Sequence, residues 1–265
     1  VVTINTIFGD QNPNNPDYSG PVFHISSTTG SDIVGNGFIS SPFATIQKGI
    51  DAASDGDTVL VGAGEYFENL QIEKEIILSS SDGPNVTIIN GGECGNDWCS
   101  VISTRYTTTA DIQGFTITGG KSEFSEHCYC LLGGGIGYSH LWSSYHPDQI
   151  TDSLMLDRMI FIDNDYHINH ENGWGIPHIS NNKIYNSTFI GSEFIKYLDS
   201  EVQPSYDLNN VILYNVDGLD NMDISDFNFN YSLTFNTPIF APMFAVNILV
   251  IEIKNTIIIL TYPIE

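Results

Sequence analysis

The sequence predicts an all-β solenoid, a stack of short parallel strands closed at its N-terminal end by one helix. Three observations carry that prediction. Beyond residue 58 the chain is a series of short β-branched runs cut by Gly, Asn and Asp: Thr58 to Val61, Ile76 to Leu78, Val86 to Ile89, Ile112 to Thr118, Leu154 to Ile162, Ile184 to Ile190 and Leu208 to Tyr214. Four of these runs share a frame in which Ile or Leu is followed, five positions on, by a large apolar residue: Ile112/Ile117, Leu156/Phe161, Ile184/Phe189 and Leu208/Leu213. The anchors Ile89, Ile117, Phe161, Phe189 and Leu213 follow one another at 28, 44, 28 and 24 residues, and 44 is near twice 22. One coil of strands and turns cannot bury its inward residues alone, whereas coils stacked about 4.8 Å apart share a continuous apolar interior. The spacing implies about seven to nine coils. A β-sandwich with irregular hairpins is the alternative, but the two-residue Asn-Gly type turns it would use are absent between the runs.

Taken in order, Val1 to Phe8 has the composition of a strand and runs into Gly9 to Gly20, rich in Asn, Pro and Asp, so residues 1–20 read as a strand on a tether. Val22 to Ser26 is the next strand candidate, and Thr28 to Ser40 a turn-rich loop. Ser41 suits an N-cap and Pro42 the first helical position, while Phe43, Ile46, Ile50 and Ala53 line one face of a helix from Pro42 to Ala53. Lying just before the first coil, that helix can lay its apolar stripe over the open end of the stack. The expected organisation is therefore a cap over 21–57, a parallel β-helix over 58–235, and apolar strands over 236–265 that serve as a second cap or an assembly interface.

Composition narrows the function classes. Of 265 residues, 41% are apolar, enough for a sizeable core, and Gly plus Pro number only 24 + 11 = 35, which argues against whole-chain disorder. The formal charge of 8 − 32 = −24 repels phosphate backbones and anionic headgroups, so nucleic-acid and peripheral-membrane roles are excluded. The apolar stretch from Pro238 to Leu260 is broken by Asn247, Glu252, Lys254 and Asn255, so no membrane span is predicted. Scarce lysine, four cysteines and a first residue other than Met point to an extracellular or cell-surface protein whose signal peptide is already removed.

The stretch Ser41-Pro42-Phe43-Ala44-Thr45-Ile46-Gln47, then Ile50-Asp51-Ala52-Ala53-Ser54-Asp55-Gly56-Asp57-Thr58-Val59-Leu60-Val61, then Gly64-Glu65-Tyr66, resembles the start of secreted right-handed parallel β-helix proteins of the pectin-lyase-like superfamily. The resemblance covers residues 22 to 92 well, is looser at Gly133-Gly134-Gly135-Ile136 and the later coils, and fails beyond about residue 235. It implies a right-handed β-helix. Because the superfamily holds polysaccharide lyases, glycoside hydrolases and non-catalytic surface proteins, it does not choose among them. The Gly-His-Gly, Arg-Ile-Lys and paired-carboxylate motifs of the polygalacturonase branch are missing here.

Several clusters bear chemistry. A lyase would need a base and a cation against the substrate carboxylate, and Arg158 is the one late basic residue with carboxylates close by, Asp157, Asp163 and Asp165. If enzymatic, the catalytic set would be Arg158, Asp163 and Asp165, the two acids sharing a face of an extended segment; the plainer reading is charge balance on the outside of a coil. His127, His140, His146, His167, His170 and His178 fall close to Trp142, Tyr145 and Trp174, which suggests a glycan- or metal-binding face with Trp142, Tyr145, His146 and Trp174 as ligand contacts, or else an exposed polar insertion in one long coil. Asp217, Asp220, Asp223 and Asp226 form an acidic ladder that suits calcium, the one candidate cofactor, although its spacing is not that of an EF-hand loop and a solvated acidic turn is the plainer reading. Sequons stand at Asn85, Asn186 and Asn230.

Cys94 and Cys99 follow Gly91-Gly92, and Cys128 and Cys130 follow the aligned Gly119-Gly120, so both pairs leave the stack at one corner and disulfides between the two loops are expected, with a four-thiolate zinc site as the alternative. The function this supports is a non-catalytic extracellular surface, adhesive or filament-forming protein; a polysaccharide lyase or glycoside hydrolase acting in a groove along the coils is the rival. The expected partners are further copies joined through the termini, by the tethered strand Val1 to Phe8 and the apolar runs Ile248 to Ile253 and Thr256 to Leu260, together with a glycan ligand.

Overall fold

A computed structural model describes residues 21–91, 100–104, 109–125, 130–138, 150–170, 178–197, 202–217, 227–230, 232–235, 247–253 and 256–262. The cap holds β1 (Val22–Ile25) and α1 (Ile46–Ala52). Three strands then make each of five coils: β2 (Thr58–Val61), β3 (Gly64–Phe67) and β4 (Leu70–Ile72); β5 (Ile77–Ser80), β6 (Thr87–Asn90) and β7 (Ser100–Thr104); β8 (Thr109–Gln113), β9 (Thr116–Thr118) and, after the short β10 (Ser122–Ser125), β11 (Cys130–Tyr138); β12 (Ile150–Asp157), β13 (Ile160–Ile162) and β14 (Tyr166–His170); β15 (His178–Tyr185), β16 (Thr188–Ile190) and β17 (Glu193–Tyr197). Two further coils contribute β18 (Val202–Asn209) and β19 (Ile212–Tyr214), then β20 (Phe227–Asn230) and β21 (Leu233–Phe235). An antiparallel hairpin of β22 (Asn247–Ile253) and β23 (Thr256–Tyr262) follows, with β23 beside β21.

The coils stack into three walls. An eight-stranded sheet runs β1-β2-β5-β8-β12-β15-β18-β20, a seven-stranded one β3-β6-β9-β13-β16-β19-β21, and a six-stranded one β4-β7-β11-β14-β17, with β10 antiparallel on β11. This is an all-β, right-handed parallel β-helix with an N-terminal capping helix. The expected frame sets the register. Leu78, Ile112, Leu156, Ile184 and Leu208 are successive partners along one wall, and Ile89, Ile117, Phe161, Phe189 and Leu213 along another, every one fully buried. Phe161 and Phe189 stack face to face at 4.6 Å.

Two expectations need correcting. The 44-residue interval is a single coil, since Phe161 pairs directly with Ile117; its extra length includes β10, which lies antiparallel on β11 outside the parallel ladder. The helix starts at Ile46, not Pro42. Phe43 is held extended on the outer side of β1, donating to the His24 carbonyl and accepting from Ser26 N–H, so residues 42 and 43 continue a sheet edge and cannot coil. Thr45 is the true N-cap, its hydroxyl accepting from Lys48 N–H, and Asp32 reaches across the loop to accept from the backbone of Ala44 and Thr45 and from the Thr45 hydroxyl. Burial alone would raise the Asp32 carboxyl, but these bonds and the Lys48 charge outweigh it and hold the group low.

The first coil grips the helix at both ends. The Glu68 carboxylate accepts from the Ile46 and Gln47 N–H groups at 2.8 and 2.9 Å, and the Lys74 ammonium donates to the carbonyls of Ile50, Asp51 and Ala53 at 3.0, 2.9 and 2.6 Å. Anion at the N-terminus and cation at the C-terminus match the dipole of the helix and satisfy groups that its short length leaves unpaired. Buried Ile46, Gly49 and Ile50 then seal the end of the core. Residues 1–20, with the tethered strand, lie outside the described residues.

Candidate functional site

Because the interior is filled with side chains, chemistry is confined to the outer walls and corners. Each long run of the sequence breaks in two at a corner between the eight- and seven-stranded walls, and the corner residue has positive φ: Gly114 (79°), Arg158 (54°), Asn186 (49°) and Asn210 (56°). In three of these corners a longer side chain occupies the left-handed conformation that glycine takes most easily, and its polar end ties one coil to the next.

From these corners a continuous polar chain runs along the stack. Gln113 donates to Asp111 at 2.8 Å; Arg158 donates through Nη2 to the Gln113 Oε1 at 3.2 Å and through Nε to Asp157 Oδ2 at 2.9 Å. Asn186 donates to Asp157 Oδ1, and Asn210 to Asn186 Oδ1, each at 2.8 Å. Asp111 and Asp157 sit on adjacent strands, one strand and two residues apart, which places their Cα atoms about 8 Å from each other. Half-burial pushes the Asp111 carboxyl up; the Gln113 bond opposes the rise, and the charge of Asp157 adds to it. The outward neighbours of the anchors carry this cluster: stepping one residue either side of Ile112, Leu156 and Ile184 reaches Asp111, Gln113, Met155, Asp157, Lys183 and Tyr185. The period of two could have found it, but attention to the inward frame passed over it.

The proposed catalytic set does not converge. Arg158 stands at one end of β13 and Asp163 at the other, about 16 Å away along five residues. Asp163 has φ of 55°, so it and Asp165 flank a corner and not an extended segment; between them buried Asn164 accepts from Gly120 N–H and donates to the carbonyls of Ile117 and Ile162. Asp165 faces exposed Lys121 at 3.7 Å.

Of the histidines grouped by sequence, His167 is not on a binding face. It lies wholly inside the core, edge-on to Phe161 and Phe189, with Nε2 2.7 Å from the Gly191 carbonyl and Nδ1 without a hydrogen-bond partner. It fits there because its neighbour in the preceding coil, Gly135, carries no side chain: a Cβ would come 2.8 Å from the His167 carbonyl and 3.1 Å from the Phe161 ring. Burial drives the ring's pKa down to about 4, with the Gly191 bond opposing. His170 and His178 fall in β14 and β15; His127, His140, His146, Trp142, Tyr145 and Trp174 lie outside the described residues.

Asp217 pairs its backbone with Glu193, while Asp220, Asp223 and Asp226 are outside the described residues; among the described residues no group of three His, Cys, Asp or Glu could hold a metal. Cys130 opens β11, and Cys94, Cys99 and Cys128 are outside. Gly91 donates to the Thr118 carbonyl, so the ends of β6 and β9 lie on adjacent coils. Asn85 is exposed, whereas the Asn186 amide is engaged on both sides by Asp157 and Asn210, and Asn230 donates to Asp207 at 3.4 Å.

The outer face of the seven-stranded wall differs from the polar chain beside it. Its strands alternate, and the outward positions include Phe67, Ile88, Ile160, Ile162, Ile190, Ile212 and Tyr214, in two rows across β3 to β19. Phe67 is 70% exposed and Tyr214 53%.

Comparison with known proteins adds the following. No protein-family model matches the chain. Over 103 residues it is 30% identical to a cell surface glycoprotein of Methanothermus fervidus, a match covering 38% of this chain and 16% of that protein's length. Among solved structures, a GH136 lacto-N-biosidase from Eubacterium ramulus aligns with TM-score 0.46 and 12% identity over 74% of this chain and 42% of its own, and the pectin methylesterase PemA from Erwinia chrysanthemi with TM-score 0.37 and 13% identity over 90% and 85%. The chain thus spans well under two thirds of the cell surface glycoprotein and the lacto-N-biosidase. Among the described residues no helix is long and apolar enough to cross a membrane.

Proposed function

We propose that this chain is a non-catalytic extracellular β-helical surface protein, an adhesive or filament-forming subunit whose rigid stack displays its outer walls. The observation that carries it is the engagement of the outer polar groups in the stack: Arg158 bonds Gln113 of the preceding coil as well as the adjacent Asp157, Asn186 takes the other Asp157 oxygen from the following coil, and Asp207 accepts from Asn228 and Asn230 of the next coil. Groups held this way stabilise a stack. The similarity to a cell surface glycoprotein supports the same location and role. Disulfides between the loops at residues 91–100 and 119–130, glycans on the sequons, calcium at the Asp217 ladder, and head-to-tail joining through the termini belong to this proposal. Electron microscopy of the native protein tests it: ordered polymers or a surface lattice are expected, and a monodisperse monomer that degrades a polysaccharide would overturn it.

One observation favours the rival, a glycoside hydrolase or lyase. Asp111, its carboxyl raised by half-burial and close to Asp157, has the makings of a proton donor beside a second carboxyl group. If that chemistry operates, Asp111→Asn and Asp157→Asn each abolish release of reducing sugar while leaving the circular dichroism spectrum unchanged.

A further inference from the structure

We propose that the outer face of the seven-stranded wall is a platform for a neutral glycan chain. The alternative is that β-branched residues stand there because they suit strands. The eight-stranded wall counters it, since with the same geometry its outward register positions over β5 to β20 carry Asp111, Asp157, Lys183 and Asp207, while twelve outward positions over β3 to β19 include one charged residue, Glu65, at the first coil. Seven of those twelve are apolar, in a chain of net charge −24.

Size and charge select the occupant. Six strands at about 4.8 Å and three residues at about 3.3 Å give a strip of about 24 by 10 Å, or about 240 Å². A stable protein partner, a second copy included, needs about 800 Å² on each side, over three times the area of this strip. A folded protein is therefore disfavoured and a narrow chain favoured. An extended peptide gains little on a sheet face, because the backbone groups of the strands are already paired in the ladders. Acidic polysaccharides are repelled by the same net charge. A neutral glycan has ring faces that are part apolar and edged with hydroxyls, which match a strip mixing Ile with Thr and Asn between exposed aromatic rings: Phe67 and Tyr214 end one row, about 24 Å apart, with Asn90, Thr118, Ile162 and Ile190 between them. This deepens the adhesive side of the proposed function and rests on it only in taking the chain as a surface protein.

The test is retention of the full chain on insoluble β-glucan, chitin and mannan, with polygalacturonate as the acidic control. The expected result is depletion by at least one neutral glycan and none by polygalacturonate. The double variant Phe67→Ala, Tyr214→Ala alters two exposed side chains and is expected to bind about tenfold more weakly or worse; Ile190→Lys, which sets a charge mid-strip, is expected to do the same. Retention by none of the neutral glycans, equal retention of the variants, or sedimentation showing copies joined through this face would each overturn the proposal. Reducing-sugar release in the same incubations reports separately on catalysis, so failure of the surface-protein reading is told apart from failure of the platform.

Discussion

His167 makes the stack acid-sensitive in a way that one substitution isolates. In the folded chain its imidazole is neutral, Nε2–H donating to the Gly191 carbonyl and Nδ1 facing apolar surroundings; a second proton would place a charge there with no partner. The folded pKa is about 4 against 6.5 for the unfolded ring, so the unfolded state takes up the proton first as pH falls. The sign follows: the contribution is fully present above pH 6.5 and is lost progressively down to about pH 4. A gap of about two to three pH units at about 1.4 kcal/mol each gives about 3 kcal/mol. His167→Phe keeps an aromatic ring against the edges of Phe161 and Phe189 but cannot titrate; it leaves the Gly191 carbonyl without its donor, at a pH-independent cost of about 1 to 3 kcal/mol. Urea unfolding of both proteins from pH 7.5 to 4 is the assay. The stability difference between them should shift by about 3 kcal/mol in favour of the variant on acidification. Carboxylates titrate alike in both and cancel. Parallel pH profiles would refute the account of His167 as a buried neutral ring.

Four further outcomes are expected. Phe161→Ala or Phe189→Ala opens a cavity in the ring stack and costs about 3 to 5 kcal/mol in denaturant unfolding. Lys74→Met removes the ammonium from three helix carbonyls and costs about 1 to 3 kcal/mol, with hydrogen exchange rising first in the last turn of α1. Intact mass of unreduced protein should be lower by four hydrogen atoms than after reduction; free thiols or stoichiometric zinc would reject the bridges between loops. Deleting residues 1–17 should abolish self-association seen by sedimentation, and native protein that is monomeric, or polymers unchanged by the deletion, would rule out strand exchange at the N-terminus.

The inward half of this fold was legible because burial demands it. Five anchors spaced by 24 to 44 residues share one wall, since every coil must set a large apolar side chain on the one below. The corners were less so. Arg158 reads as a charge among acids, yet its backbone occupies the place that Gly114, Asn186 and Asn210 take in neighbouring coils, a role declared by φ and not by residue type. The helix start was misplaced for a similar reason: Ser41-Pro42 has the local chemistry of a first turn, but Phe43 is claimed by the edge of β1 and Asp32, thirteen residues upstream of Thr45, fixes the real cap. Asp111 and Asp157 are brought within reach of one another by stacking alone, across 46 residues of sequence, and local spacing cannot show that.

The two outer faces can be treated as separate instruments on one frame. In a solenoid each coil touches its neighbours, and stability is near to a sum of coil and interface terms, so a change on one wall is felt mainly through the core beneath it. Phe67 and Tyr214 point away from that core, as do Asp111 and Asp157 on the adjoining wall. Substitutions on the two walls should therefore act independently on stability and on binding. The corner breaks this separation at one place. Arg158 follows directly on the strand that carries Asp157, and Asn186 on the next strand of the same wall; they precede those that carry Ile160 and Thr188 of the outward rows, and their side chains hold Asp157. Removing the Asn186 amide would loosen the Asp157 carboxylate and the start of β16 together, so this corner is where the polar chain and the apolar strip can influence each other.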